Sequence, residues 1–126
     1  MSKIEEFIQL NINSLNDIQS YHWQTKSYSE HESLGEYYVK FNKLLDEFVE
    51  THQGKTGRRI KFSAELRPGI LNYADVQIVK AEVKKQADRI NELSNNKEVA
   101  GQIDLQSILE DMLLATNQLL YHLSLN

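Results

Sequence analysis

Four stretches of the chain carry apolar residues three and four positions apart, and breakers separate them. That period belongs to an amphipathic helix, whose apolar stripe must be covered by another element. The first stretch predicts a helix from Lys3 to Lys26. Ile4, Ile8, Leu15, Ile18 and His22 share one stripe there, widened by Phe7 and Ile12. The second predicts a helix from Ser29 to His52. Ser29 and Glu32 have capping-box spacing. Leu34, Tyr37, Tyr38, Phe41, Leu44, Leu45, Phe48 and Val49 recur at helical steps, and Gly54 and Gly57 follow as stops. The third, Tyr73 to Leu93, carries Val76, Val79, Val83, Ala87, Ile90 and Leu93 before Ser94-Asn95-Asn96 breaks it. The fourth, Ile103 to Leu123, carries Leu105, Ile108, Leu109, Met112, Thr116, Leu119, Leu120 and Leu123.

Four such stripes bury one another most simply as an all-α four-helix bundle, here a single domain over residues 1–126. Short loops after helices one and three make those neighbours antiparallel. Residues 53–72 form the long connection between helices two and three, crossing the end of the bundle in the ferritin-like manner. This segment holds three of the five glycines and the one proline. Within it, Arg59-Ile60-Lys61-Phe62 reads as a short strand or a turn of helix.

Composition removes several classes. The chain has no cysteine, which excludes disulfides, thiolate zinc sites, iron–sulfur clusters and a cysteine nucleophile. No apolar run approaches the ~20 residues that span a bilayer. The first ten residues carry acids where a secretory signal needs a basic start, so a cytoplasmic location is expected. The net charge of −4 argues against nucleic acid as a partner for the chain as a whole. The charge is uneven: residues 53–72 hold five basic side chains and one acidic, between two acidic halves.

Few motifs bear chemistry. Gly54-Lys55-Thr56 lacks the phosphate-loop glycine five residues earlier, where Val49 stands, and follows a helix rather than a strand. No Glu-x-x-His occurs, so the usual ferritin signature is missing. His22 and His31 flank one short loop. Asp46 and Glu50, at i and i+4, share a face of helix two. Two imidazoles and two carboxylates suit a divalent iron or zinc ion. His31 and Asp46 are 15 residues apart on one helix, about 22 Å at 1.5 Å per residue. They can meet only where a second copy of helix two runs antiparallel beside the first. The aromatic and aliphatic surface of helix two exceeds one stripe and points to such self-association, a homo-dimer or higher homo-oligomer.

The segment from Ser20 to Glu50, with His22-Trp23, His31, and Asp46 and Glu50 following it by 15 and 19 residues, resembles the Dps branch of the ferritin-like superfamily. The step from His22 to His31 is shorter than that branch usually has, and a lysine-rich DNA-binding tail is missing. The resemblance implies an inter-subunit ferroxidase site formed by His22, His31, Asp46 and Glu50. It implies ferrous iron as substrate, peroxide or oxygen as oxidant, Trp23 beside the site, and a hollow dodecamer. The YHWQT segment with its downstream His-Gln-Gly turn is also similar to small proteins of tailed bacteriophages. That similarity implies a non-catalytic alternative, an interaction protein that docks on a host or virion partner through the basic loop. Arg58, Arg59 and Lys61 are the contact residues in that alternative.

Each residue also has an ordinary explanation. His22 can be a hydrogen-bonded core histidine, and Trp23 core or interface. Asp46 and Glu50 can be a solvated face. His52 and His122 can complement helix C-termini.

Overall fold

The computed structural model describes residues 1–66 and 69–125. Its four helices are α1 (Lys3–Gln24), α2 (Tyr28–Thr56), α3 (Val76–Ser94) and α4 (Ile103–Leu123), and no strand occurs among the described residues. Residues 58–63 are irregular, neither strand nor helix.

The starts of the first three helices are set by side chains that satisfy orphan N–H groups. Ser2 and Glu5 form a reciprocal capping box on α1. Ser27, not Ser29, caps α2 by accepting from the Glu30 N–H, so the helix begins at Tyr28, two residues earlier than a Ser29 cap would have allowed. Asp75 caps α3 through the Ile78 N–H, which moves its start from Tyr73 to Val76. At the other end of α2, Gly54 is an ordinary helical residue. Gly57 is the stop, with a left-handed φ of 69° that only glycine adopts cheaply.

Contacts run α1–α2, α2–α4, α4–α3 and α3–α1, a square with α1 diagonal to α4 and α2 diagonal to α3. Side-chain pairings fix the directions. His22 meets His31 and Phe7 meets Phe48, so α1 and α2 are antiparallel. Lys55 meets Asp104 while Tyr37 meets Thr116, so α2 and α4 are antiparallel. Lys3 meets Glu98 while Asn11 meets Gln86, so α1 and α3 are antiparallel as well. Consecutive α2 and α3 therefore point the same way, and the chain must travel the length of the bundle between them.

The described residues of that connection, 57–66 and 69–75, run along α1 rather than over the bundle's end. Lys61 N–H donates to Glu5, Ser63 and Gln9 exchange two hydrogen bonds, Leu71 N–H donates to Asp17, and Tyr73 N–H donates to Gln24. The strap thus meets α1 from its first turn to its last.

The core is mostly apolar, with Ser14, Asp17 and Glu82 also buried and one connected polar layer across its middle. Ile8, Ile18, Leu34, Phe41, Phe48, Val79, Val83, Ile90, Leu105, Leu109 and Met112 are fully buried. At mid-height the Tyr37 hydroxyl donates to Gln86 Oε1 (2.9 Å) and lies 3.1 Å from the Thr116 hydroxyl, which also meets the Met112 carbonyl, while Gln86 Nε2 donates to Asn11 (3.3 Å). That one connected set draws on all four helices. A buried polar layer that is satisfied in only one stacking of the helices disfavours every other register. Burial pushes the Tyr37 phenol well above the ordinary tyrosine range.

Candidate functional site

The tight turn from Thr25 to Ser27 brings the end of α1 against the start of α2, and His22 faces His31 across it. The two residues are tied twice. His22 Nδ1 donates to the His31 carbonyl (2.6 Å) and His31 Nδ1 donates to the His22 carbonyl (2.8 Å). The rings stack with centroids 4.0 Å apart and planes 12° from parallel.

The chemistry follows from the acceptors. A carbonyl oxygen cannot donate, so each Nδ1 must carry its hydrogen, which puts the lone pair of the neutral imidazole on Nε2. A backbone carbonyl that fixes the tautomer and leaves Nε2 available is the usual support of a metal-binding histidine. Both rings are half-buried. Gly35, the eighth residue of α2, makes the arrangement possible. A Cβ on residue 35 would stand 2.7 Å from His22 Cε1.

The surroundings are aromatic and open. Tyr28 lies 6.4 Å from the His31 ring, centroid to centroid, and is 76% exposed. Trp23 is 69% exposed, so of its two ordinary expectations, core or interface, the core of one chain is excluded. Tyr73 closes the strap side of the corner by donating to Glu30. Burial, reinforced by that carboxylate, raises its phenol above the ordinary range.

Asp46 and Glu50 are exposed. They lie toward the opposite end of α2, about 22 Å (Asp46) and about 28 Å (Glu50) from His31 by helical rise. Asp46 lines a groove of about 550 Å³ between α1, α2 and the strap, whose apolar wall includes Ile12, Tyr38, Val39, Val49 and Phe62. Among the described residues of one chain, no three His, Cys, Asp or Glu side chains come together as a metal cage. The four expected ligands therefore lie in two separate groups on one chain, His22 with His31 and Asp46 with Glu50.

Arg58, Arg59 and Lys61 lie at the end of α2 with His52 and Thr56, around a cleft of about 380 Å³. His122 is exposed near the end of α4. Among the described residues, no helix is long and apolar enough to cross a membrane.

Two features went unread in the sequence. Gly35 stands alone inside a helical pattern, and an isolated helical glycine is itself a signal of close approach. Asn11 and Gln86 sit on apolar stripes of α1 and α3, where a polar residue marks a buried partner.

Fold and corner together define a four-helix bundle with a lengthwise strap and a histidine pair at one turn. Residues 22–123 match the family of unknown function DUF5856, and the chain belongs to that family. No curated protein and no solved structure matches it.

Proposed function

We propose that this protein is a ferritin-like, Dps-type iron protein that takes up ferrous iron between two copies of the chain. The observation that carries the reading is the reciprocal lock of His22 and His31, which fixes both tautomers and leaves two Nε2 donors at one corner. The helix order supports it: one long connection between α2 and α3, with all neighbours antiparallel, is the plan of ferritin-like bundles.

The carboxylates would come from a second copy. An antiparallel pairing of α2 that sets His31 opposite Asp46 centres its twofold axis on Tyr38 and Val39. Val39 is an apolar residue 68% exposed on this face. Pairing there would cover the groove and bring each histidine corner toward the other chain's Asp46 and Glu50. Imidazole and carboxylate suit ferrous iron, and carboxylates hold the ferric product more tightly. Each ferrous ion gives up one electron, so two ions and two protons convert one hydrogen peroxide to two waters. Exposed carboxylates then offer places for the ferric product to gather.

Ferrous iron is added anaerobically, then peroxide, and ferric absorbance is followed for wild type, His22→Ala and Asp46→Ala. Wild type should oxidise iron faster than a protein-free control, and both variants should fall to that control. Sedimentation should show a dimer or larger. A wild-type rate equal to the control, or a strict monomer at micromolar concentration, overturns the reading.

A further inference from the structure

We propose that the cleft at the C-terminal end of α2 binds a small phosphate-bearing anion, held by Arg58, Arg59 and Lys61 with the Thr56 hydroxyl. The site is independent of the iron reading and lies at the opposite end of α2 from the histidine corner.

The cations there are uncommitted. Among the described residues, Arg58, Arg59 and Lys61 make no side-chain hydrogen bond or ion pair, whereas the neighbouring Lys55 is held by Asp104 at 2.7 Å. Two carboxylates also line the cleft, and both are already engaged by other groups. Glu5 accepts from Ser2 N–H, Ser2 Oγ and Lys61 N–H, and Glu98 accepts from Lys3 N–H at 2.8 Å. They tie the walls together and leave the guanidinium and ammonium groups facing open space. Thr56 Oγ1 accepts the Arg58 N–H, so its own proton is free to donate.

Geometry and charge select the ligand. Gly57 turns the chain through its positive φ directly into Arg58-Arg59, so consecutive guanidiniums project from one turn. Two planar forks match the several oxygens of a phosphate better than the single acceptor face of a carboxylate. A volume of about 380 Å³ is that of a small-molecule site. A long polyanion is disfavoured, because the basic segment lies between halves that balance to −5 (four basic, nine acidic, residues 1–52) and −3 (five basic, eight acidic, residues 73–126). The net charge of −4 repels a polymer that runs along the chain's surface, while a compact anion stays among the cations.

The test titrates full-length protein at low salt with inorganic phosphate, pyrophosphate and adenosine monophosphate, and separately with a single-stranded oligonucleotide. Binding is read by calorimetry and by amide chemical shifts. One-to-one binding of at least one small phosphate is expected, with shifts clustered at residues 56–61. Arg58→Ala/Arg59→Ala should weaken it about tenfold or more, and Lys84→Ala/Lys85→Ala on α3 should leave it unchanged. The wild-type shift map stands even where the arginine variant folds poorly. Absence of saturable binding by all three small phosphates overturns the proposal. So do shifts centred elsewhere, equal loss in both double variants, or binding of the oligonucleotide alone.

Discussion

The ring of His22 occupies the space that a side chain on Gly35 would fill, with Cε1 2.7 Å from the position of a Cβ. Glycine inside a helix costs roughly 0.5–1 kcal/mol relative to alanine, and here that cost makes room for the histidine pair. Gly35→Ala should therefore fail to stabilise, because the ring it displaces is anchored to the His31 carbonyl and stacked on the His31 ring. In a His22→Ala background the same change should stabilise by about 0.5–1 kcal/mol. Urea unfolding of the four proteins in the cycle measures the coupling. Additive effects would mean that the ring is not held where it stands.

Gly54 and Gly57, three residues apart, should respond in opposite senses. Gly54 is helical and a Cβ there meets nothing within 4 Å. Gly54→Ala should raise stability by up to about 1 kcal/mol. Gly57 has φ 69°, where an L side chain costs about 1–2 kcal/mol. Gly57→Ala should lower stability by that amount and loosen the turn that carries Arg58 and Arg59. Thermal unfolding of the two variants against wild type checks both signs.

Tyr37→Phe keeps the ring and removes the hydroxyl that joins Gln86 to Thr116. The carbonyl of Gln86 is then buried without that donor, a loss of about 1–3 kcal/mol. The variant should also change the alkaline limb. Burial holds the folded Tyr37 phenol above its unfolded value of about 10, so the folded state keeps a proton that the unfolded state releases. The stabilisation is complete below pH 10 and is lost as pH rises beyond it. The difference in unfolding free energy between wild type and Tyr37→Phe should shrink above pH 10. A constant difference would place the phenol in contact with water.

Helix number and most buried faces were legible because burial follows a repeating pattern. Ile4, Ile8, Leu15 and Ile18 are buried as their spacing requires. Termini were less legible, since Ser27 and Ser29 offer the same hydroxyl and only the backbone at the turn selects between them. Trp23 follows His22 directly, yet a step of 100° around α1 separates a ring held in the corner from one in solvent. His22 and His31 were legible as neighbours from the short loop between them. Their mutual lock was not, because it is made by carbonyls, which every residue has. The path of the strap was equally hidden: Glu5, Gln9, Asp17 and Gln24 look like an ordinary polar face until the chain that they hold is laid across them.

That strap should detach from α1 at one end in acid. Glu5 accepts the Lys61 N–H at 2.8 Å, and this bond, with the one from Ser2, holds its carboxyl below the ordinary range. A lowered folded value means that the contribution is present in full above the unfolded value, about 4.3, and fades as pH falls through the folded one. The Lys61 amide should therefore keep its protection against hydrogen exchange near neutrality, and lose it progressively once pH drops below about 4. Two comparisons isolate the cause. In Glu5→Gln the acceptor is neutral, so Lys61 protection should be lower at pH 7 and nearly independent of pH. The Ser63 amide, which donates to the neutral Gln9 side chain, should keep its protection over the same range in both proteins. Parallel loss at Lys61 and Ser63 in wild type would instead mean that the whole strap leaves α1 together, with Glu5 one attachment among several.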